Sequence, residues 1–189
     1  YRDFPVIWQV WNEGDSASEA AVGLPAEAYA HMLDVVVPSI RRVSQNAQVI
    51  SQGHVSGKLP YWQSVMRFSS AARQLNGLAL HPYGVSGQRG GAFGIHGNVV
   101  DFVRTWRTIT ALPLYFTEFG LCGGNAPNLP EATVAGYAAQ FLNACAAQNV
   151  AGAVWYGYAT GMHNCRGALH YGQRGALWNT LAQFAEAAR

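Results

Sequence analysis

The sequence predicts an α/β fold built on parallel strands. Strand-like and helix-like segments alternate in five successive pairs. The strand-like runs are almost continuously apolar rather than alternating, as strands covered on both faces are. Polar and aromatic residues gather where each apolar run ends, and the ends of parallel strands are where α/β proteins build their sites. With 189 residues, half of them hydrophobic and only 12% charged, the chain can bury one sizeable core, and residues 1–189 read as a single domain.

Each element has its own signal. Residues 5–11, "PVIWQVW", form an apolar strand that runs into Asn12, Glu13, Gly14 and Asp15. Residues 24–43 carry helical periodicity, with Pro25 suited to a first turn. A strand over 47–53, "AQVISQG", is followed by a helical pattern over 59–75. The third strand, 77–84, ends on His81 and Tyr83, and its helix spans 97–110. The fourth, 112–120, ends on Glu118, and its helix spans 130–148 with Pro130 at the start. The fifth strand, 150–159, contains Trp155 and Tyr156, and a helix over 176–189 closes the pattern. The glycine-rich stretch 83–97 reads as a long functional loop after a strand.

Composition removes several classes of function. The net charge is +2 without a basic block, so nucleic acid is not an expected partner, since phosphate contacts need clustered Lys and Arg. No apolar run is long enough for a membrane span. No histidine pair has zincin spacing, no Gly-x-Ser-x-Gly elbow occurs, and the spaced glycines of "GQRGGAFG" lack a phosphate-binding Lys-Ser/Thr end. No metal and no cofactor is expected. The chain begins at Tyr1 rather than Met and shows no signal peptide, which leaves room for a removed leader. Cys145 sits in a helical pattern as a small buried hydrophobe. Cys122 and Cys165 lie in glycine-rich loops: either the loops are neighbours and the two form a disulfide, which favours an extracellular or periplasmic setting, or both are unpaired thiols.

Two carboxylates at strand ends can divide the work of cleaving a glycosidic bond. One protonates the leaving oxygen; the other attacks the sugar carbon, and in retaining enzymes they lie about 5–5.5 Å apart. Glu13 and Glu118 are the candidates. The stretches "WNEG", "LHPYG" and "YFTEFG" resemble the retaining glycoside hydrolases of the (β/α)8 clan that carries its catalytic glutamates after strands four and seven, cellulase-like family 5 or a close relative. The resemblance implies a TIM-barrel type fold of which this chain supplies strands four to eight as five βα units. It implies Glu13 as acid/base and Glu118 as nucleophile. It further implies Asn12 at the sugar 2-hydroxyl, His81 and Tyr83 as a substrate-binding His-x-Tyr pair whose tyrosine donates to the nucleophile, and Trp155 as the floor of the sugar subsite, where a ring face meets apolar C–H groups. The arginine and histidine that family 5 supplies from earlier strands have no counterpart here. An open barrel needs cover, so an oligomer or a missing N-terminal barrel segment is expected.

The expected function is retaining hydrolysis of a β-linked oligo- or polysaccharide. The alternative is a carbohydrate-binding protein without turnover, or a fragment needing a partner segment. Blander roles are expected for other conspicuous residues: Asp15 as a loop or helix-start residue, His54 as a loop residue rather than a binding one, Trp62 and Trp106 as helix packing. His163, Asn164 and Arg166 belong either to substrate contact or to loop structure.

Overall fold

The computed structural model describes residues 6–16, 23–55 and 59–188; Pro5 of the predicted first strand and Arg189 of the predicted last helix lie outside them. The chain divides into two compact units, Tyr1–His81 with Trp106–Tyr115, and Pro82–Thr105 with Phe116–Arg189.

The first unit contains β1 (Ile7–Gln9), α1 (Ala26–Val43), β2 (Gln48–Val55), α2 (Leu59–Phe68) and β3 (Gly77–His81). β1 pairs with β2, and β2 with β3, both in parallel. Beside β3, the Leu78 N–H donates to the Pro113 carbonyl at 2.8 Å, just ahead of β4 (Leu114–Phe119). Val49, Ile50, Leu78 and Leu80 of β2 and β3 are buried, as are Tyr29 and Leu33 of α1 and Trp62 of α2. Trp62 and Trp106 are fully buried, which agrees with packing roles.

The second unit contains most of α3 (Val99–Arg107), the end of β4, α4 (Glu131–Ala147), β5 (Gly152–Trp155), a two-stranded antiparallel hairpin β6 (Leu169–His170) and β7 (Gln173–Arg174), and α5 (Ala176–Ala187). Its core is aromatic. Phe119 of β4 stacks on Phe141 of α4 with ring centroids 4.3 Å apart, and Phe116, Tyr137 and Trp155 close around them. Neighbouring strands follow chain order, β1-β2-β3-β4-β5, so the α/β alternation predicted from the sequence is present.

Several boundaries differ from expectation, each for a local reason. β1 ends at Gln9 because Trp11 takes a positive φ of 76°, which no strand accommodates. The helix predicted over 59–75 stops at Phe68. Asp34 accepts from the Ser69 hydroxyl and the Ala71 N–H, and the Ser69 hydroxyl accepts from the Ala72 N–H; these side-chain bonds replace the helical ladder, and a short 3₁₀ turn, Ala71–Gln74, follows. α3 starts where Asn98 caps it: the Asp101 N–H donates to Asn98 Oδ1 at 3.1 Å, and Asn98 Nδ2 donates back to the Asp101 carboxylate. The hairpin was not predicted; its turn is Tyr171-Gly172, both at positive φ, instead of the more familiar Asn-Gly. β1 and β5 are also less covered than their apolar sequences suggest, with Ile7, Trp8 and Val154 exposed.

Candidate functional site

In the first unit the site residues follow β1. Asn12 forms a parallel bridge to Gly53, and the Glu13 N–H donates to the Gly53 carbonyl at 3.1 Å. Glu13 itself has φ 47°, a left-handed conformation uncommon for a residue with a side chain and found where surrounding contacts impose it. The Glu13 carboxylate is 18% exposed, and its Oε1 lies 2.7 Å from Nδ1 of His81, the last residue of β3. When Glu13 is ionised its carboxylate only accepts, and the proton of this bond is then on His81 Nδ1. The His81 ring is buried against Gly53. Asn12 and Trp11 are exposed.

Beneath the Glu13 turn lies a layer of polar groups. Asp15 and His54, expected in loops, are both buried, and His54 belongs to β2. The Asp15 carboxylate accepts from the Val55 N–H at 3.1 and 3.2 Å, which is why it turns inward from the loop. His54 packs edge-on against Trp62 and Tyr61, and burial holds its pKa below the ordinary histidine value, against the pull of Asp15. Burial likewise pushes the Tyr61 hydroxyl up to about 12, and Tyr29 higher still. Gln52, unnoticed in the sequence, is fully buried between Gly14 and His54. The available signal was "ISQGHV", where a strand becomes polar while remaining internal.

In the second unit Glu118 ends β4. Tyr83 donates its hydroxyl to Glu118 Oε2 at 2.9 Å, and Tyr156 packs edge-on to the Tyr83 ring. Trp155, the last residue of β5, is half-buried, set edge-on to Phe119 and Tyr137; its Nε1–H donates to the Arg166 carbonyl at 2.8 Å. That carbonyl belongs to a loop fixed on several sides. Cys122 and Cys165 form a disulfide, and the Arg166 N–H donates to the Leu121 carbonyl at 2.9 Å. The Arg166 guanidinium is fully buried, bonded to Glu131, Thr160 and His170. Arg166 is therefore a loop-structure residue. His163 is exposed, with its ring beside Tyr156. Cys145 is buried and free.

Within the first unit His81, expected at the substrate, pairs with Glu13. Within the second, Tyr83 bonds to Glu118. The two side chains are separated in the chain by Pro82 alone.

Solved structures similar to this chain include several of glycoside hydrolase family 128. An exo-β-1,3-glucanase from Cryptococcus neoformans, of glycoside hydrolase family 128, matches with a TM-score of 0.58 at 16% identity, over 80% of this chain and 56% of that one. A family 128 endo-β-1,3-glucanase from Amycolatopsis mediterranei, in complex with laminarihexaose, matches at 0.65 and 16% identity, over 95% and 71%. A family 128 oligosaccharide-binding protein from C. neoformans matches at 0.68 and 12% identity, over 98% and 72%.

The chain shares their fold. It spans about half the length of the first of these structures. Family 128 is a different family from the cellulase-like family 5 that the sequence motifs resemble. No protein-family model matches the chain, and no curated protein matches it. Among the described residues no helix is long and apolar enough to cross a membrane.

Proposed function

We propose that this protein is a retaining glycoside hydrolase acting on a β-1,3-linked glucan, with its five βα units corresponding to strands four to eight of a (β/α)8 barrel. One observation carries the reading. In each unit a strand-end carboxylate is hydrogen-bonded to a side chain at or just after the end of β3, Glu13 to His81 in the first and Glu118 to Tyr83 in the second. The substrate class is supported by the fold shared with β-1,3-glucanases.

In this reaction Glu118 attacks the anomeric carbon and forms a glycosyl ester, while Glu13 gives its proton to the departing glycosidic oxygen. Glu13 then takes a proton from water, the water oxygen bonds to the anomeric carbon, and the Glu118 ester breaks. The Tyr83 hydroxyl stabilises the ionised Glu118 carboxylate before attack. Asn12, exposed beside Glu13, contacts the sugar 2-hydroxyl, and Trp155 offers a ring face to the pyranose. The Cys122–Cys165 disulfide suits an extracellular or periplasmic setting.

The test is hydrolysis of laminari-oligosaccharides and aryl β-glucosides by the wild type, Glu118→Gln and Glu13→Ala. Glu118→Gln abolishes turnover. Glu13→Ala spares only substrates with good leaving groups and regains rate with azide. A second reading, binding without turnover, is favoured by the likeness to the oligosaccharide-binding protein. Calorimetric binding of laminaritriose with no hydrolysis of any substrate would establish it instead.

A further inference from the structure

Glu13 sits in a conformation that an isolated chain avoids, and two hydrogen bonds flank its Cα. On one side its own N–H donates to the Gly53 carbonyl. On the other, the N–H of Gly14 donates to Oε1 of Gln52 at 3.0 Å. Together they fix both backbone dihedrals of Glu13, and hence the direction in which its side chain leaves the turn. Gly14 has no room for anything larger, since a Cβ there would meet Gln52 Oε1 at 2.6 Å.

Gln52 is itself locked. β2 carries a register shift between Ile50 and Gly53, where the Ser51 hydroxyl accepts the Ala79 N–H in place of a ladder carbonyl. The bulge leaves Gln52 buried, with its own N–H donating to the Tyr29 hydroxyl at 2.7 Å. Because the Gln52 amide oxygen faces an N–H donor, its Nε2 faces Nδ1 of His54 at 3.3 Å, and the neutral ring accepts there. The same Nδ1 lies 3.8 Å from the Asp15 carboxylate, beyond hydrogen-bond reach, and the Val55 N–H anchors that carboxylate instead.

We propose that Gln52, held by Tyr29 and His54, is a positioning unit that sets the Glu13–Gly14 peptide and so aims the Glu13 carboxylate at His81. The inference rests on the reading of Glu13 as acid/base, and it adds residues that touch no substrate. A buried amide making two directed bonds resists rotation, which is what a group that must both give and take a proton at one atom requires.

The experiment compares Gln52→Leu, which loses both amide bonds, with Gln52→Glu, which keeps an acceptor for the Gly14 N–H. Gly14→Ala serves as a second route to the same displacement should Gln52→Leu not fold. The first readout is the downfield Nδ1 proton of His81 by NMR, which reports the bond to Glu13 without turnover. Gln52→Leu and Gly14→Ala shift or lose this signal, and Gln52→Glu retains it. The second readout is kcat/KM on two aryl glucosides. Gln52→Leu lowers the value for a poor leaving group by about tenfold or more and leaves a good one within about threefold. An unmoved His81 proton in both displacing variants, or equal losses on the two substrates, overturns the proposal. If Glu13→Ala shows no dependence on leaving group, the acid/base reading fails while the NMR result still judges the positioning unit.

Discussion

The His81 ring lies so close to Gly53 that a Cβ built on the glycine would sit 1.9 Å from Nε2. The bare backbone at residue 53 is what admits the imidazole that bonds to Glu13, and the same glycine lends its carbonyl to the Glu13 N–H. Gly53→Ala must therefore displace the ring. The expected cost is about 1–3 kcal/mol of stability, as for other overpacked sites, together with a loss of hydrolysis larger than the fall in folded protein explains. Thermal melts beside steady-state rates check both.

Tyr83→Phe removes one O–H and leaves the ring contact with Tyr156 in place. A hydrogen bond to a charged group is worth about 1.5–3 kcal/mol, so kcat/KM is expected to fall by roughly 10- to 100-fold with little change in Tm. Michaelis–Menten kinetics on an aryl β-glucoside measures it.

His54 makes stability depend on pH. Burial lowers its pKa in the folded state, whereas the unfolded ring titrates near 6.5. Below about pH 6.5 the unfolded chain binds a proton that the folded chain refuses, so stability falls as pH drops from that point and levels off once the folded ring itself protonates. Tm is expected to decline from pH 7 to pH 5, and His54→Gln to flatten that decline; calorimetry across the range decides.

The Cys122–Cys165 bridge closes a loop of 43 residues. Loop-closure entropy for that length gives roughly 4 kcal/mol. Replacing both cysteines with alanine is expected to lower Tm by about 10 °C and to loosen the loop whose Arg166 carbonyl holds Trp155. Differential scanning calorimetry and the tryptophan emission spectrum report the two effects.

Much of this architecture is legible in the residues. Apolar runs mark the five strands, Pro25 and Pro130 mark helix starts, and polar residues at the run ends mark the strand ends that carry Glu13, His81 and Glu118. What periodicity hides is decided by side chains bonding to backbone. Asp34 ends α2 through Ser69 and Ala71, contacts made 35 and 37 residues away in the chain. Asp15 reads as a solvated loop residue until the Val55 N–H, 40 residues on, turns it inward. Gln52 and His54 look like the polar end of a strand because nothing local announces the Ser51 bulge that keeps them inside. The partner of His81 is hidden in the same way: motif spacing gives its place at a strand end, whereas the bond to Glu13 depends on which neighbouring turn it faces.

The most direct test of the central claim is covalent trapping. An activated 2-deoxy-2-fluoro-β-laminaribioside, incubated with the wild-type protein, is digested and mapped by mass spectrometry. The account predicts one fluorosugar ester on Glu118, absent from Glu118→Gln. A label on any other carboxylate, Glu13 included, or turnover of laminari-oligosaccharides without a label on Glu118, would contradict it.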